Sequence, residues 1–317
     1  MQPVRTIPRV VFLGTPAFAL PSLDALVALA AAGQIILAGV VTQPDRPAHR
    51  GRIRRSAVAQ RAAELGLTVL QPARLRGVEL DAVRALRPAV LIWAAYGNRI
   101  PGALLARVDG RAINVHASLL PRWRGAAPVA HAILAGDTET GITLMEGTAE
   151  LDAGAILATC RTPIGSDENT GALTTRLAAL GGETLRERLP DYLAGRLPPR
   201  PQEPAAVTWA PKLTSADGHL DFAEPAEALA RRVRAMTPDP GAWTTFRGQR
   251  LIVLHASVSG DPGTDHGTLG VRGGVPQVAA GAGWLRLAEV KPAGKRGMSG
   301  AAWARGLGLR PGERLPS

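Results

Sequence analysis

The chain has 317 residues, room for two domains of ordinary size, and its 46% apolar and 20% charged content excludes disorder and allows a large buried core. Lys+Arg number 37 against 26 Asp+Glu, and the resulting +11 points to a polyanionic partner, although it says nothing about fold. Cys160 is the single cysteine, which excludes a disulfide framework and a cysteine-based zinc site.

Arg5 and Arg9 ahead of an apolar stretch imitate a signal peptide, but Pro16, Pro21 and Asp24 interrupt the would-be core. Residues 25–44 are uncharged and long enough on paper to cross a bilayer. Gly33-Gln34 splits them into an Ala/Leu-rich half and a β-branched half, so a helix, a turn and a buried strand are expected, in a cytoplasmic protein.

Strands are then predicted at 10–13, 35–42, 68–70, 89–96, 112–116 and 142–145, with helices near 18–32, 56–66, 78–87, 101–107, 126–135 and 172–194. Continuous apolar strands alternating with helices imply an α/β domain, a doubly wound, mostly parallel sheet over residues 1–195. Its ligand belongs outside the carboxyl ends of the strands. Residues 196–206 are Pro-rich and suit an extended linker. Beyond them, short runs at 251–254, 268–271, 275–279 and 284–287, separated by Gly and Pro, predict a small antiparallel barrel or sandwich over 207–317.

No phosphate-cradling glycine motif, no nucleophile elbow and no i, i+4 histidine pair is present, which narrows the choice to metal-free chemistry or to none. One constellation stands apart. In Ile113-Asn114-Val115-His116 the two-residue period puts Asn114 and His116 on one face of a strand that runs into a long loop. Asp152, in a loop after the next strand, could return to the same rim and pair with the imidazole. By spacing alone, a satisfied core histidine is the simpler reading.

The segment from Asn114 to Pro128, NVHASLLPRWRGAAP, resembles the signature of the folate-dependent formyltransferases, and specifically of the branch that formylates methionyl-tRNA. The resemblance runs along the chain through Val11–Pro16, Thr42–Pro47, Ala95–Gly97, Thr208–Leu213, Arg234–Pro238 and Lys291–Ser299. It implies a Rossmann-like formyltransferase domain followed by a barrel of oligonucleotide-binding type. It also implies transfer of a formyl group from 10-formyltetrahydrofolate, as co-substrate, to the α-amine of methionine esterified to initiator tRNA.

By resemblance Asn114, His116 and Asp152 form the catalytic set, and Ile92, Ala95, Tyr96, Gly97, Ser118, Leu119, Leu120 and Pro121 line the folate site. The chemistry suits these residue types. An α-amine with a pKa of roughly 8 is partly neutral near pH 7, so no strong base is required. Attack on the formyl carbon creates an oxyanion that needs donors aimed at it. Ala17, His49, Ala117, Glu150 and Ala155 depart from the family pattern, whereas the Asn, His and Asp remain.

Six arginines and no acid lie between Arg46 and Ala63, at 46, 50, 52, 54, 55 and 61. The resemblance makes this the loop that enters the tRNA acceptor end, with Arg46, Arg50, Arg52, Arg54 and Arg55 as contacts and Arg50 as the key arginine. Planar guanidinium groups grip phosphate or stack on bases. In the second domain Lys212, Arg247, Arg250, Lys291, Lys295 and Arg296 are candidate backbone contacts. A monomer is expected. The competing readings are a formyltransferase for another amine, such as an amino-sugar nucleotide or glycinamide ribonucleotide, and a non-catalytic RNA-binding protein.

Overall fold

Arg9–Gly14 is apolar without alternation, which suits a strand covered on both faces, and it forms β1 in the middle of a seven-stranded sheet. The other strands are β2 (Ile36–Val41), β3 (Val69–Leu70), β4 (Val90–Ala94), β5 (Ala112–His116), β6 (Glu139–Glu146) and β7 (Ile156–Pro163). Their order is β7-β6-β5-β4-β1-β2-β3. The five strands from β5 to β3 pair in parallel, and β6 and β7 add an antiparallel edge. The order reverses between β1 and β4, the crevice where open α/β sheets bind ligands. This is the computed structural model of the chain, and it describes residues 6–47, 53–260, 265–308 and 313–316.

The uncharged run resolves into α1 (Leu20–Ala31), Gly33 at φ +69° and β2. Further helices are α2 (Ala57–Glu64), α3 (Gly77–Ala85), α4 (Gly102–Leu105), α5 (Pro128–Ala135) and α6 (Thr170–Leu193). Ser56 caps α2 by accepting from Ala59 N at 3.0 Å. In α6, Gly182 shows why a helix interior tolerates glycine: a Cβ there would lie 2.6 Å from the Pro21 carbonyl oxygen, beside α1. No helix among the described residues is long and apolar enough to cross a membrane.

Contacts divide the chain into two units, one of Met1–Gly125, Glu139–Pro163 and Thr174–Trp209, the other of Ala126–Thr138, Ile164–Leu173 and Ala210–Ser317. The second unit carries an antiparallel sheet of β8 (Ala242–Phe246), β9 (Gln249–Ser259), β10 (Leu269–Arg272), β11 (Val275–Ala279), β12 (Trp284–Pro292) and β13 (Met298–Ser299). The order is β8-β9-β12-β11-β10, with β13 on β12. Two hairpins turn on residue pairs at positive φ, Arg247-Gly248 and Gly273-Gly274, as the twist of paired strands requires.

Two helices that the sequence reading did not anticipate complete this unit, α7 (Ala226–Met236) and α8 (Gly300–Leu307). Helix α7 buries Ala226, Leu229, Val233 and Met236 at helical spacing, and places them in a core with Leu220, Phe222, Val253 and Leu287.

Candidate active site

Strand β5 ends at His116, so Asn114 and His116 sit at the carboxyl edge of the sheet, 7% and 6% exposed. Asp152, 7% exposed, lies in the turn between β6 and β7 at φ +51°, the left-handed region that an L-residue rarely adopts. The first unit brings these three side chains together. Asn114 Nδ2 donates to Asp152 Oδ1 at 3.2 Å. His116 Nδ1 lies 3.7 Å from Asp152 Oδ2, and that oxygen also accepts from Gly125 N at 2.9 Å.

The carboxylate therefore aims the amide more closely than it aims the imidazole. His116 is fixed from its other side, where Nε2 lies 2.9 Å from the Trp123 carbonyl oxygen. A carbonyl only accepts, so Nε2 carries the hydrogen in this contact. Trp123 itself is at φ +64° with the Arg122 guanidinium 4.3 Å from its ring centre, and its main-chain N–H donates to Thr208 Oγ1 at 2.9 Å.

The loop after β5 is braced from β6. Thr143 Oγ1 donates to Ser118 O at 2.7 Å and accepts from Leu120 N at 3.1 Å, while Ser118 Oγ donates to Arg122 O at 2.6 Å. Ser118 is fully buried, so its side chain holds the loop and presents nothing to a ligand. Ile92 is likewise fully buried, in the middle of β4 between Phe12 and Ile113, and its side chain belongs to the core. Both are expected along the folate site by resemblance, Ile92 through its backbone groups, and the burial of their side chains does not bear on main-chain contacts to a ligand.

Ala95 (φ +46°) and Gly97 (φ +83°) lie exposed just past β4, around the buried Tyr96. The Tyr96 carbonyl accepts from Thr15 Oγ1 at 2.9 Å, and burial pushes its phenol above the ordinary tyrosine range, so it stays neutral. Leu119 and Pro121 are half-buried and Leu120 is buried. At the carboxyl ends of β2 and β4 a cavity of about 280 Å³ is lined by Gln43, Pro44, Asp45, Ala73 and Asn98.

Around the trio lies a polar set that sequence reasoning did not single out: Arg124 and Gln202, 7% and 9% exposed. Arg124 Nη1 also lies 3.8 Å from Glu150, one of the departures from the family pattern. Among the described residues no group of three His, Cys, Asp or Glu could hold a metal ion.

The basic loop follows β2. Its base is a short antiparallel pair, Arg46–Pro47 with Ile53–Arg54, in which Arg46 is opposite Arg54. Arg54 and Arg55 are exposed, and Arg55 Nε lies 3.9 Å from Asp45. His49, Arg50 and Arg52 lie outside the described residues.

In the second unit Lys212, Lys291, Lys295 and Arg296 are exposed. Arg250 stacks 4.3 Å from the Trp243 ring, and Lys291 shares a cross-strand row with Ile252 and Trp243. Arg247 is tied to Glu313. A cavity of about 410 Å³ in this unit carries Asp217, Asp221 and Glu224 against Arg232, a balance that repels phosphate.

Residues 8–189 match the model of the formyl transferase family, and residues 212–308 match that family's C-terminal domain. The chain belongs to the formyl transferase family. A methionyl-tRNA formyltransferase of Halorhodospira halophila is 47% identical over 308 residues, 96% of this chain and 98% of its own. One of Thermus thermophilus is 46% identical over 314 residues, 97% of this chain and 99% of its own.

Among solved structures, the N-formyltransferase of Helicobacter canadensis with folinic acid and dTDP-3-aminofucose superposes with a TM-score of 0.67 at 13% identity, over 89% of this chain and 99% of its own. HypX of Aquifex aeolicus in complex with tetrahydrofolic acid gives 0.63 at 18% identity, over 96% of this chain and 48% of its own. At those identities the likeness shows that the formyl transferase fold is shared.

Proposed function

We propose that the chain transfers the formyl group of 10-formyltetrahydrofolate to the α-amine of methionyl-tRNA, the reaction that prepares initiator tRNA for translation. What carries this reading is the convergence of Asn114, His116 and Asp152 on one strand edge of a family formyltransferase domain. Near-full-length relatives at 46–47% identity, named for this substrate, support it.

The neutral amine attacks the formyl carbon, the carbonyl oxygen becomes an oxyanion, the C–N10 bond breaks, and the proton lost by the amine ends on N10. The amide of Asn114 has two N–H donors; one is held by Asp152 and the second is left to meet the oxyanion. His116 relays the proton from the amine toward N10, directly or through water, once Nε2 leaves the Trp123 carbonyl. Asp152 holds the amide and the loop at Gly125 in register with the imidazole. Ala95–Gly97 and Leu119–Pro121 hold the folate, as exposed backbone beyond β4 and a braced loop beyond β5.

Arg54 and Arg55, with Arg46, Arg50 and Arg52 of the same loop, take the acceptor end of the tRNA. Lys212, Lys291, Lys295 and Arg296 take its backbone. Trp243 under Arg250 adds a surface on which a base or ribose stacks.

The test is formyl transfer from 10-formyltetrahydrofolate to methionyl-tRNA and, separately, to a nucleotide-linked amino sugar and glycinamide ribonucleotide. Turnover on methionyl-tRNA at least a hundredfold above the others is expected. Preference for a small amine would move the chain to another branch of the family, and no transfer at all would leave an RNA-binding protein.

A further inference from the structure

Gln202 lies within the Pro-rich stretch 197–204, where a side chain in solvent would be expected, yet it is 9% exposed and its whole amide is engaged. Nε2 donates to the carbonyl oxygens of Asp152 and Gly154, both at 2.8 Å. Oε1 accepts from Arg124 Nε at 3.0 Å and Arg124 Nη2 at 2.8 Å. Two hydrogens meet two carbonyls and one oxygen meets a forked guanidinium. Among the twenty side chains, only a primary amide of this length supplies that set.

The backbone on either side fixes where this amide points. Arg200 and Ile156 exchange hydrogen bonds at 2.7 and 2.9 Å, which docks the segment on the first residue of β7. On the other side of the turn, a Cβ on Gly154 would stand 1.8 Å from the Glu146 carbonyl oxygen, so residues 152–154 are pressed against the end of β6. Arg124 precedes Gly125, whose N–H holds the Asp152 carboxylate. Asp152 is thus gripped twice, through its main-chain oxygen by Gln202 and through its carboxylate by the residue that follows Arg124.

We propose that Gln202 is a positioning residue: with Arg124 it locks the left-handed turn at Asp152, and so sets the direction in which the Asp152 carboxylate meets Asn114 and His116. If the Asp152 peptide turned, its carboxylate would swing away from both. This rests on the trio being catalytic, and a misplacement on the order of 1 Å in such a site costs about a hundredfold in rate.

The experiment compares Gln202→Ala and Gln202→Glu in the wild-type and Asp152→Ala backgrounds, with formyl transfer to methionyl-tRNA as the assay and thermal melting as the check on folding. Gln202→Glu keeps the shape and the acceptor toward Arg124 but turns an oxygen on the two carbonyls, so it separates the turn clamp from simple packing. Both variants are expected to lose about ten- to a hundredfold in kcat, with KM for folate and for tRNA within about twofold. In the Asp152→Ala background, where no carboxylate remains to be aimed, the further loss is expected to stay below about twofold.

Equal losses in the two backgrounds would overturn the proposal, as would wild-type kcat in a folded Gln202→Glu. Wild-type turnover by Asp152→Ala alone would instead overturn the assignment of the trio.

Discussion

The carboxyl edge of the first sheet and the exposed face of the second differ in how they hold charge. At the edge, Asn114, His116 and Asp152 are almost wholly buried, and each is tied to a neighbour or to the main chain. On the second unit, Lys212, Lys291, Lys295 and Arg296 stand in solvent, and Arg250 rests on Trp243. Stabilising a developing oxyanion needs donors that are already in place, because reorganising them would consume the gain. Holding a polyanion needs only positive potential, which exposed flexible cations supply. One protein therefore keeps buried, tied donors in the trio and exposed cations on the second unit and at Arg54 and Arg55 after β2.

Removing the rigid donors should do most damage. Asn114→Ala and His116→Ala are each expected to lower kcat by about a hundred- to a thousandfold, with melting temperatures near wild type. The comparison would break if either variant, folded, turned over normally. The second region should respond to salt instead. Affinity for tRNA is expected to fall steeply between about 50 and 200 mM salt, with Lys291→Ala flattening the log–log slope by roughly one unit or less. Lys291→Ala should leave kcat at saturating tRNA unchanged, and a lowered kcat would place this residue in the chemistry.

Smaller effects sharpen the picture at the rim. Ser56 caps α2 just after the basic loop and shares a 2.7 Å hydrogen bond with Thr42, so Ser56→Ala is expected to cost about 1 kcal/mol in denaturant unfolding. Tyr96 is held neutral by burial, so its pKa is higher folded than unfolded. Its contribution is complete below about pH 10 and is lost as pH rises through and above that value. Tyr96→Phe should blunt the alkaline fall in stability, as a melting series from pH 8 to pH 11 would register.

Much of this was legible in the residues. Strands β1, β4 and β5 are continuous apolar runs, which the alternation rule assigns to a sheet covered on both faces, and the same period placed Asn114 and His116 together. Strand β7 was not legible. It lies at the edge, buries only Leu157 and then alternates half-buried with exposed residues, and carries Thr159, Arg161 and Thr162 where a core strand would be apolar. The helical spacing of Ala226, Leu229, Val233 and Met236 is present in the sequence, but the Gly- and Pro-separated strands around it dominate the pattern. Gln202 carries no signal of its own, since its partners Arg124 and Asp152 are 78 and 50 residues away and only the fold joins them.

The central claim is that a preset amide, imidazole and carboxylate carry formyl transfer to methionyl-tRNA. Rapid-quench single-turnover transfer by wild type and Asn114→Ala, with enzyme in excess over methionyl-tRNA and saturating 10-formyltetrahydrofolate, tests it directly. The account predicts a chemical step at least a hundredfold slower in the variant while tRNA affinity stays within about twofold. An unchanged chemical step, or a loss lying wholly in tRNA affinity, would contradict it.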